Sequence, residues 1–317
     1  MSAPAERGRG HDPGPGDGTR AVAIGGGHGL ARTLAALPTV VDHVTAIVTV
    51  ADDGGSSGRL RRDLDVLPPG DLRMALTAMS PRPELAEIVG YRFARGELAG
   101  HSLGNLVLVA LQDLCAGDVV AALDRLAGLL GVRGRVLPCT TSPVTLLAAT
   151  PDGGVTGQVA VAATPRLERV WLDPVDAPAT PDAVAAIRRA DLIVLGPGSI
   201  YTSVLPNLLV PGIGRAVAEA RAPVVFVANL REQPGETEGM SLVDHLEALT
   251  SHVAGLTVDV AVVHEGGLPG GDGAPLMLAP GGIAAHVGSV VTADLLDGVD
   301  GHAPTALARV FDRLLRG

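Results

Sequence analysis

Ile47-Val48-Thr49-Val50-Ala51-Asp52-Asp53-Gly54-Gly55-Ser56-Ser57-Gly58-Arg59 is the stretch on which the fold turns. Its first four residues are uncharged and β-branched or aliphatic, which predicts a short buried strand. The strand runs into two carboxylates and then into a Gly/Ser cluster. That cluster predicts neither more strand nor the start of a long helix. Two acids therefore stand at the carboxyl end of a strand, beside a loop rich in free backbone N–H groups, the place where open α/β sheets take their ligands. Asp-Gly and Gly-Gly are also turn dipeptides, so the stretch alone does not separate a site from a surface turn.

Three further stretches repeat the pattern. Ala21–Ile24 predicts a strand, followed by Gly25-Gly26-Gly27-His28-Gly29 and by Leu30, Leu34 and Leu37 at helical spacing. Strand, glycine loop and helix is the geometry that aims N–H groups and a helix dipole at an anion. It is not a dinucleotide fingerprint: G-x-G-x-x-G counted from Gly25 needs glycine where Leu30 stands, which weighs against a nicotinamide-dependent oxidoreductase, and the Lys and Ser/Thr of a P-loop are missing. Leu192–Leu195 predicts a core strand that ends in Gly196-Pro197-Gly198-Ser199-Ile200-Tyr201-Thr202. Val224–Ala228 predicts another, ending in Asn229-Leu230-Arg231-Glu232-Gln233-Pro234-Gly235-Glu236-Thr237. If these strands are parallel, their carboxyl ends share one sheet edge, and four polar loops there make a composite pocket.

Smaller signals lie between them. Asp71, after Pro68-Pro69-Gly70, is placed to cap a helix or to touch a ligand. Residues 84–97 predict an amphipathic helix. His101-Ser102 precedes an apolar helix over Leu103–Leu114 whose apolar face contains Asn105, an amide that needs a partner; no G-x-S-x-G elbow surrounds Ser102. Helices are expected at 118–130, Pro181–Arg189, Leu242–Leu249 and Leu307–Leu315, a strand at Val258–Val263, and a flexible loop over Gly266–Gly273. Short strands at Val136-Leu137, Val144–Ala148, Val155–Val161 and Val170–Leu172 predict an antiparallel excursion near residues 135–172. The fold class expected is thus α/β, with a mostly parallel sheet. Residues 1–19 read as a disordered tail and 20–317 as a single domain.

Composition limits the function. The 317 residues are 47% hydrophobic and 18% charged, enough for a sizeable core, but only 2% aromatic, so base stacking is not a major binding mode. A net charge of −10 argues against a nonspecific grip on nucleic acid or an anionic membrane. Cys115 and Cys139 have no CxxC spacing, which indicates neither a disulfide framework nor a thiolate zinc site. No apolar run approaches a membrane span and no secretory signal is evident, so the expected location is the cytoplasm.

The stretches IGGGHGL, IVTVADDGGSSGRLRRDLDVLPPGD, GHSLGN, GPGSIYTSVLPNLLVPGI and QPGETEG resemble the gluconeogenesis factor (YvcK-like) family across roughly residues 20–316. That family is described as UDP-N-acetylglucosamine-binding and is related in fold to 2-phospho-L-lactate transferase (CofD). The resemblance implies a Rossmann-like α/β fold, a mostly parallel sheet with helices on both faces, and a cytoplasmic nucleotide-sugar binder that self-associates and regulates gluconeogenic growth, cell shape and peptidoglycan precursors. The alternative it leaves is a Mg²⁺-dependent transferase moving a phospho-ester group to a deazaflavin hydroxyl, with Asp52 and Asp53 as catalytic candidates. By motif, Gly25, Gly26, Gly27, His28 and Gly29 would face the diphosphate and Asp52 and Asp53 a divalent metal. Gly196, Gly198, Ser199, Tyr201 and Thr202 would complete the phosphate and sugar contacts, and Asn229 and Gln233 would help read the ligand. Gly54, Gly55, Ser56, Ser57, His101, Ser102 and Asn105 are the remaining ligand-binding candidates. The chain departs from the family pattern at His28, where Thr is common, and at Met74, where Asn is usual.

Overall fold

The computed structural model describes residues 18–278 and 283–316. Seven strands build the main sheet: β1 (Arg20–Gly25), β2 (His43–Val48), β3 (Arg135–Pro138), β7 (Leu192–Leu195), β8 (Val224–Val227), β9 (Val258–His264) and β10 (Val287–Ala293). Three more, β4 (Thr145–Thr150), β5 (Gly153–Thr156) and β6 (Arg169–Asp173), form a separate antiparallel sheet in the order β5-β4-β6. The main sheet has the order β10-β9-β8-β7-β1-β2-β3 and every pairing in it is parallel. Chain order reverses between β1 and β7. This is the Rossmann-like arrangement, with its topological switch point between those two strands.

Parallel strands covered on both faces read as unbroken apolar runs. Leu192–Leu195 and Val224–Val227 are buried at every position. The covering helices are α1 (Gly27–Ala36), α2 (Gly55–Leu64), α3 (Gly70–Ala78), α4 (Pro83–Gly90), α5 (Leu103–Leu114) and α6 (Val119–Leu130) in the first half. In the second half they are the short α7 (Gln158–Ala162), then α8 (Pro181–Arg188), α9 (Leu205–Leu208), α10 (Pro211–Ala218), α11 (Leu242–His252) and α12 (Pro304–Arg316). Local chemistry sets several ends. Ser241 and Asp244 form a capping box at the start of α11, and Gly131, in the left-handed region at φ 71°, ends α6.

Several expectations are corrected. Gly54-Gly55-Ser56-Ser57 does start a helix, the ten-residue α2, because Ser56, Ser57, Gly58 and Leu60 are buried and tertiary packing overrides weak propensity. The helix expected over 84–97 stops at Gly90; Arg92 then bridges to Ser102, and Ile88 is exposed. Val136-Leu137 belongs to the main sheet as β3, so the excursion proper is residues 145–173. The strand expected over Val155–Val161 splits into β5 and α7. Asp71 is not a cap: Pro69 occupies that position and Asp71 lies in the first turn of α3. The loop at Gly266–Gly273 is tied down by Arg231, which donates to the carbonyls of Gly273 (3.2 Å) and Pro269 and pairs with Asp300 at 2.8 Å. Of the tail expected over 1–19, residues 1–17 lie outside the described residues. Thr19 is anchored, its N–H donating to Asp42 Oδ2 at 2.9 Å.

Candidate functional site

The four strands whose ends carry polar loops are neighbours, in the order β8-β7-β1-β2, and all are parallel. The loops after β1, β2, β7 and β8 therefore share one edge of the sheet and flank the switch point. The β1 and β7 loops touch. A Cβ on Gly29 would overlap the Pro197 carbonyl, so only glycine allows this approach. Thr33 donates to the Gly196 carbonyl at 2.8 Å, and Asn207 donates to that of Gly25 at 3.0 Å.

Helices α1 and α2 open onto this cleft. Both begin after an extended glycine, Gly26 and Gly54, and neither has a side-chain cap. Gly27, at φ +62°, and Gly55, at φ +45°, have open space where a Cβ would stand, while the Asp71 carboxyl lies against Gly26 and takes the Gly27 N–H. His28 is exposed beside Gly27. Two helix starts whose N-cap residues supply no side chain favour an anion between them, with the first N–H of α1 shared with Asp71.

The polar side chains of the β2 loop turn inward. Arg73, buried in α3, donates from Nε to Asn105 Oδ1 at 3.0 Å. Asn105 Nδ2 donates to Ser56 Oγ at 3.0 Å, and Ser56 Oγ lies 3.0 Å from His101 Nδ1. Ser57 Oγ accepts from the Gly70 N–H (3.1 Å) and Ser102 donates to the Val89 carbonyl (3.0 Å). Burial, then the Arg59 charge, holds the His101 imidazole below its usual range. This network joins α2, α3 and α5, and it answers the question of what satisfies Asn105. Ser56, Ser57, His101, Ser102 and Asn105 are thus gathered behind the cleft, engaged with one another and with backbone.

The acids divide. Asp53 Oδ1 accepts from the Val159 N–H at 3.0 Å, which fastens the start of α7 onto the β2 loop. Asp52 Oδ1 accepts from Gly54 N–H at 2.9 Å, and its charge bears on Asp71. Asp71, partly accessible, has its carboxyl pushed up to about 7 by burial and then by Asp52, against the N–H of Gly27 and the charge of Arg73. Two carboxylates are therefore held together at the mouth of the glycine loop. Sequence reasoning named Asp71 as a cap or contact and did not join it to Asp52. Among the described residues, no group of three or more His, Cys, Asp and Glu converges as a metal site. Two carboxylates completed by phosphate oxygens and water still match the way Mg²⁺ binds.

Across the switch point, Asn229 receives the Gly198 N–H (2.9 Å) and donates to the Gly198 carbonyl (3.2 Å) and to Gln233 Oε1 (3.1 Å). Glu236 is the hub. It accepts from Ser199 Oγ (2.7 Å), Thr202 Oγ1 (3.1 Å) and the Tyr201 N–H (2.9 Å), while burial raises its carboxyl above the usual range. The β7 and β8 loops are one braced unit, and Gln158 of α7 donates to the Thr202 carbonyl at 3.0 Å. Glu236 was not among the expected site residues. Its signal was its place in the loop after β8, seven residues past Asn229. Cys139 is buried with its thiol pushed up to about 12, and so is inert.

Fold and loops define a Rossmann-like α/β protein with a polar, glycine-lined cleft at the switch point. A family model described as 2-phospho-L-lactate transferase CofD matches residues 21–272, and the chain belongs to the CofD family. It is 51% identical over 258 residues to a putative gluconeogenesis factor of Mycobacterium tuberculosis, covering 76% of this chain and 75% of that one. It is 46% identical over 247 residues to the gluconeogenesis factor of Halalkalibacterium halodurans, covering 77% and 76%. A crystal structure of a UPF0052 family protein from Bacillus halodurans superposes with a TM-score of 0.86 at 39% identity, covering 95% of this chain and 99% of that one. Among the described residues no helix is long and apolar enough to cross a membrane.

Proposed function

We propose that the switch-point cleft binds a nucleotide sugar, UDP-N-acetylglucosamine first among candidates, and that the protein is a non-catalytic cytoplasmic regulator of gluconeogenic growth, cell shape and peptidoglycan precursors. The observation that carries this reading is the pair of helix starts without an N-cap side chain, at Gly27 and Gly55, beside the Gly196–Thr202 loop. The diphosphate lies against the first-turn N–H groups of α2 and those of α1 beyond Gly27, whose N–H is held by Asp71. Sugar and ribose hydroxyls meet the loops after β7 and β8, and no nucleic acid or membrane is engaged. The name carried by the relatives, gluconeogenesis factor, supports the metabolic side of the reading.

Calorimetric titration with UDP-N-acetylglucosamine, with and without Mg²⁺, tests it. Saturable binding at one site per chain is expected; a folded protein that gives no heat and no thermal shift overturns it. Asp52 and Asp71, rather than Asp53, would hold a Mg²⁺ ion, whose contribution is to offset diphosphate charge that two carboxylates otherwise repel.

The same carboxylate pair favours one second reading, a transferase. A deazaflavin side-chain hydroxyl attacks the lactate-bearing phosphorus of a nucleoside-diphosphate-linked lactate. The bond from that phosphorus to the bridging oxygen breaks and nucleoside monophosphate leaves. Asp71, with its carboxyl near neutrality, accepts the hydroxyl proton. Turnover that is abolished in Asp71→Asn would establish this reading, and its absence in the wild type leaves the regulator.

A further inference from the structure

Between α4 and α5 the chain makes a short antiparallel ribbon. Arg92 bridges to Ser102, the Phe93 N–H donates to the His101 carbonyl at 2.9 Å, and the Gly100 N–H donates to that of Phe93 at 2.7 Å. The inner strand of the ribbon ends in His101 and Ser102, which belong to the buried network behind the cleft. The other strand and the tip face outward. Residues 94–98 are exposed throughout, and Ile88, Tyr91 and Leu98 are 53%, 55% and 44% exposed. Tyr91 and Phe93 meet edge to face, with centroids 5.3 Å apart. The chain has two tyrosines and three phenylalanines, and one of each stands on this ribbon rather than in the core.

Helix α5 continues the face. It packs tightly on α4, for a Cβ on Gly104 would overlap Val89. On its unburied side Leu103, Leu106, Val107, Ala110 and Leu114 recur at helical spacing, and Asp113 is its one charge. A helix with apolar residues along its outer side is left uncovered by its own chain. Apolar surface gathered on two helices and a ribbon, carrying aromatics and rimmed by charge, marks a protein contact.

The rim charges point to the occupant. Glu84 and Glu87 are exposed on α4, Arg95 and Glu97 at the ribbon tip, and none of the four has an ion pair among the described residues. A partner of a single sign meets its like somewhere on this rim. A surface with acids on the helix and arginines on the ribbon complements itself when turned about a two-fold axis.

We propose that this face is the isologous interface of a homodimer, with the axis near Tyr91, so that α4 of one copy lies along the ribbon of the other. Ile88, Tyr91 and Leu98 form its dry centre, and Glu87 of each copy faces Arg95 of the other. Because the inner strand holds His101 against Ser56, the contact also braces the scaffold that sets α2 at the cleft.

Sedimentation velocity of the full chain, with no ligand added, tests the proposal. The wild type should sediment as a dimer at micromolar concentration. Ile88→Asp combined with Leu98→Asp, both on exposed side chains, should give a monomer that still unfolds cooperatively. Glu87→Arg and Arg95→Glu should each weaken association at least about fivefold, since a two-fold axis counts every exchange twice. An equimolar mixture of those two variants should recover the lost affinity, because each contact then joins opposite charges again. A monomeric wild type, a dimer that survives the double aspartate variant, or a mixture no tighter than either variant alone overturns the proposal. None of these outcomes depends on UDP-N-acetylglucosamine, so the interface and the reading of the cleft stand or fall separately.

Discussion

On the β1–β2 side of the cleft, hydroxyls and amides point away from the opening and the carboxyls are left on it. Ser56, Ser57, His101, Ser102 and Asn105 lock α2, α3 and α5 together, while Asp52 and Asp71 stand at the glycine loop. On the β7–β8 side the carboxylate is turned in: Glu236 is taken up by three donors of its neighbouring loop, with Asn229 and Gln233 as braces. Two loops of like composition thus present opposite things to a ligand. One offers free negative charge over a rigid scaffold. The other offers backbone over a charge already satisfied. The lesson is that a polar residue in such a motif can serve the shape of the loop rather than the ligand.

Breaking the scaffold of the first side should have the largest effect. Asn105→Leu removes the acceptor for buried Arg73 and the donor to Ser56. We expect a loss of about 3 kcal/mol in urea unfolding, since a buried cation is left unpaired. Adding Arg73→Leu should recover part of that loss; a single variant within 1 kcal/mol of wild type, roughly the effect of a surface change, would mean the network is incidental.

On the second side, Glu236→Ala should cost less, about 2 kcal/mol, because the donors it leaves without an acceptor at Ser199, Tyr201 and Thr202 are neutral rather than cationic. Protection of the Tyr201 amide in hydrogen exchange should fall in the same variant. A retained slow amide would show that the loop does not depend on its hub.

Asp71 sharpens the contrast through pH. Its folded-state carboxyl titrates near 7 instead of 3.8, so the folded chain holds a proton that the unfolded chain releases earlier. The penalty is absent below pH 3.8, grows as pH rises toward 7 and is complete above it. Asp71→Asn should therefore match the wild type near pH 4 and exceed it at pH 8, with a melting temperature several degrees higher there. Mg²⁺ should narrow that gap if it settles on this pair. Equal melting temperatures at both pH values would free Asp71 from the charge of Asp52.

Asp53→Ala is expected to have the smallest effect, a loss of about 0.5–1 kcal/mol from one released N–H at Val159. Its signature is local, faster exchange at the start of α7. An effect on ligand affinity larger than that of Asp52→Ala would restore Asp53 to the cleft.

Much of the fold was legible because its central strands are buried on both faces. Leu192–Leu195 and Val224–Val227 announce themselves as apolar runs with polar ends. Strand β10 was not legible: in Val287–Ala293 one residue of seven is buried, and no apolar period survives at an edge. Helix α2 hid behind glycines and serines, since its stability comes from what it packs against. The loops of the site could be read, and their wiring could not. Asn105 asked for a partner, yet nothing in the chain paired it with Ser56, 49 positions away. Asp71 likewise met the glycine loop only once β1 and α3 were packed together.

The most direct test of the account is titration of the wild-type chain with UDP-N-acetylglucosamine beside its Gly29→Val variant, whose branched side chain would wedge the β1 loop from Pro197. Saturable binding by the wild type, lost by at least tenfold in a variant that still unfolds cooperatively, is the predicted result. No binding by the wild type, or equal binding by the two, would contradict a ligand site at the β1–β7 switch point.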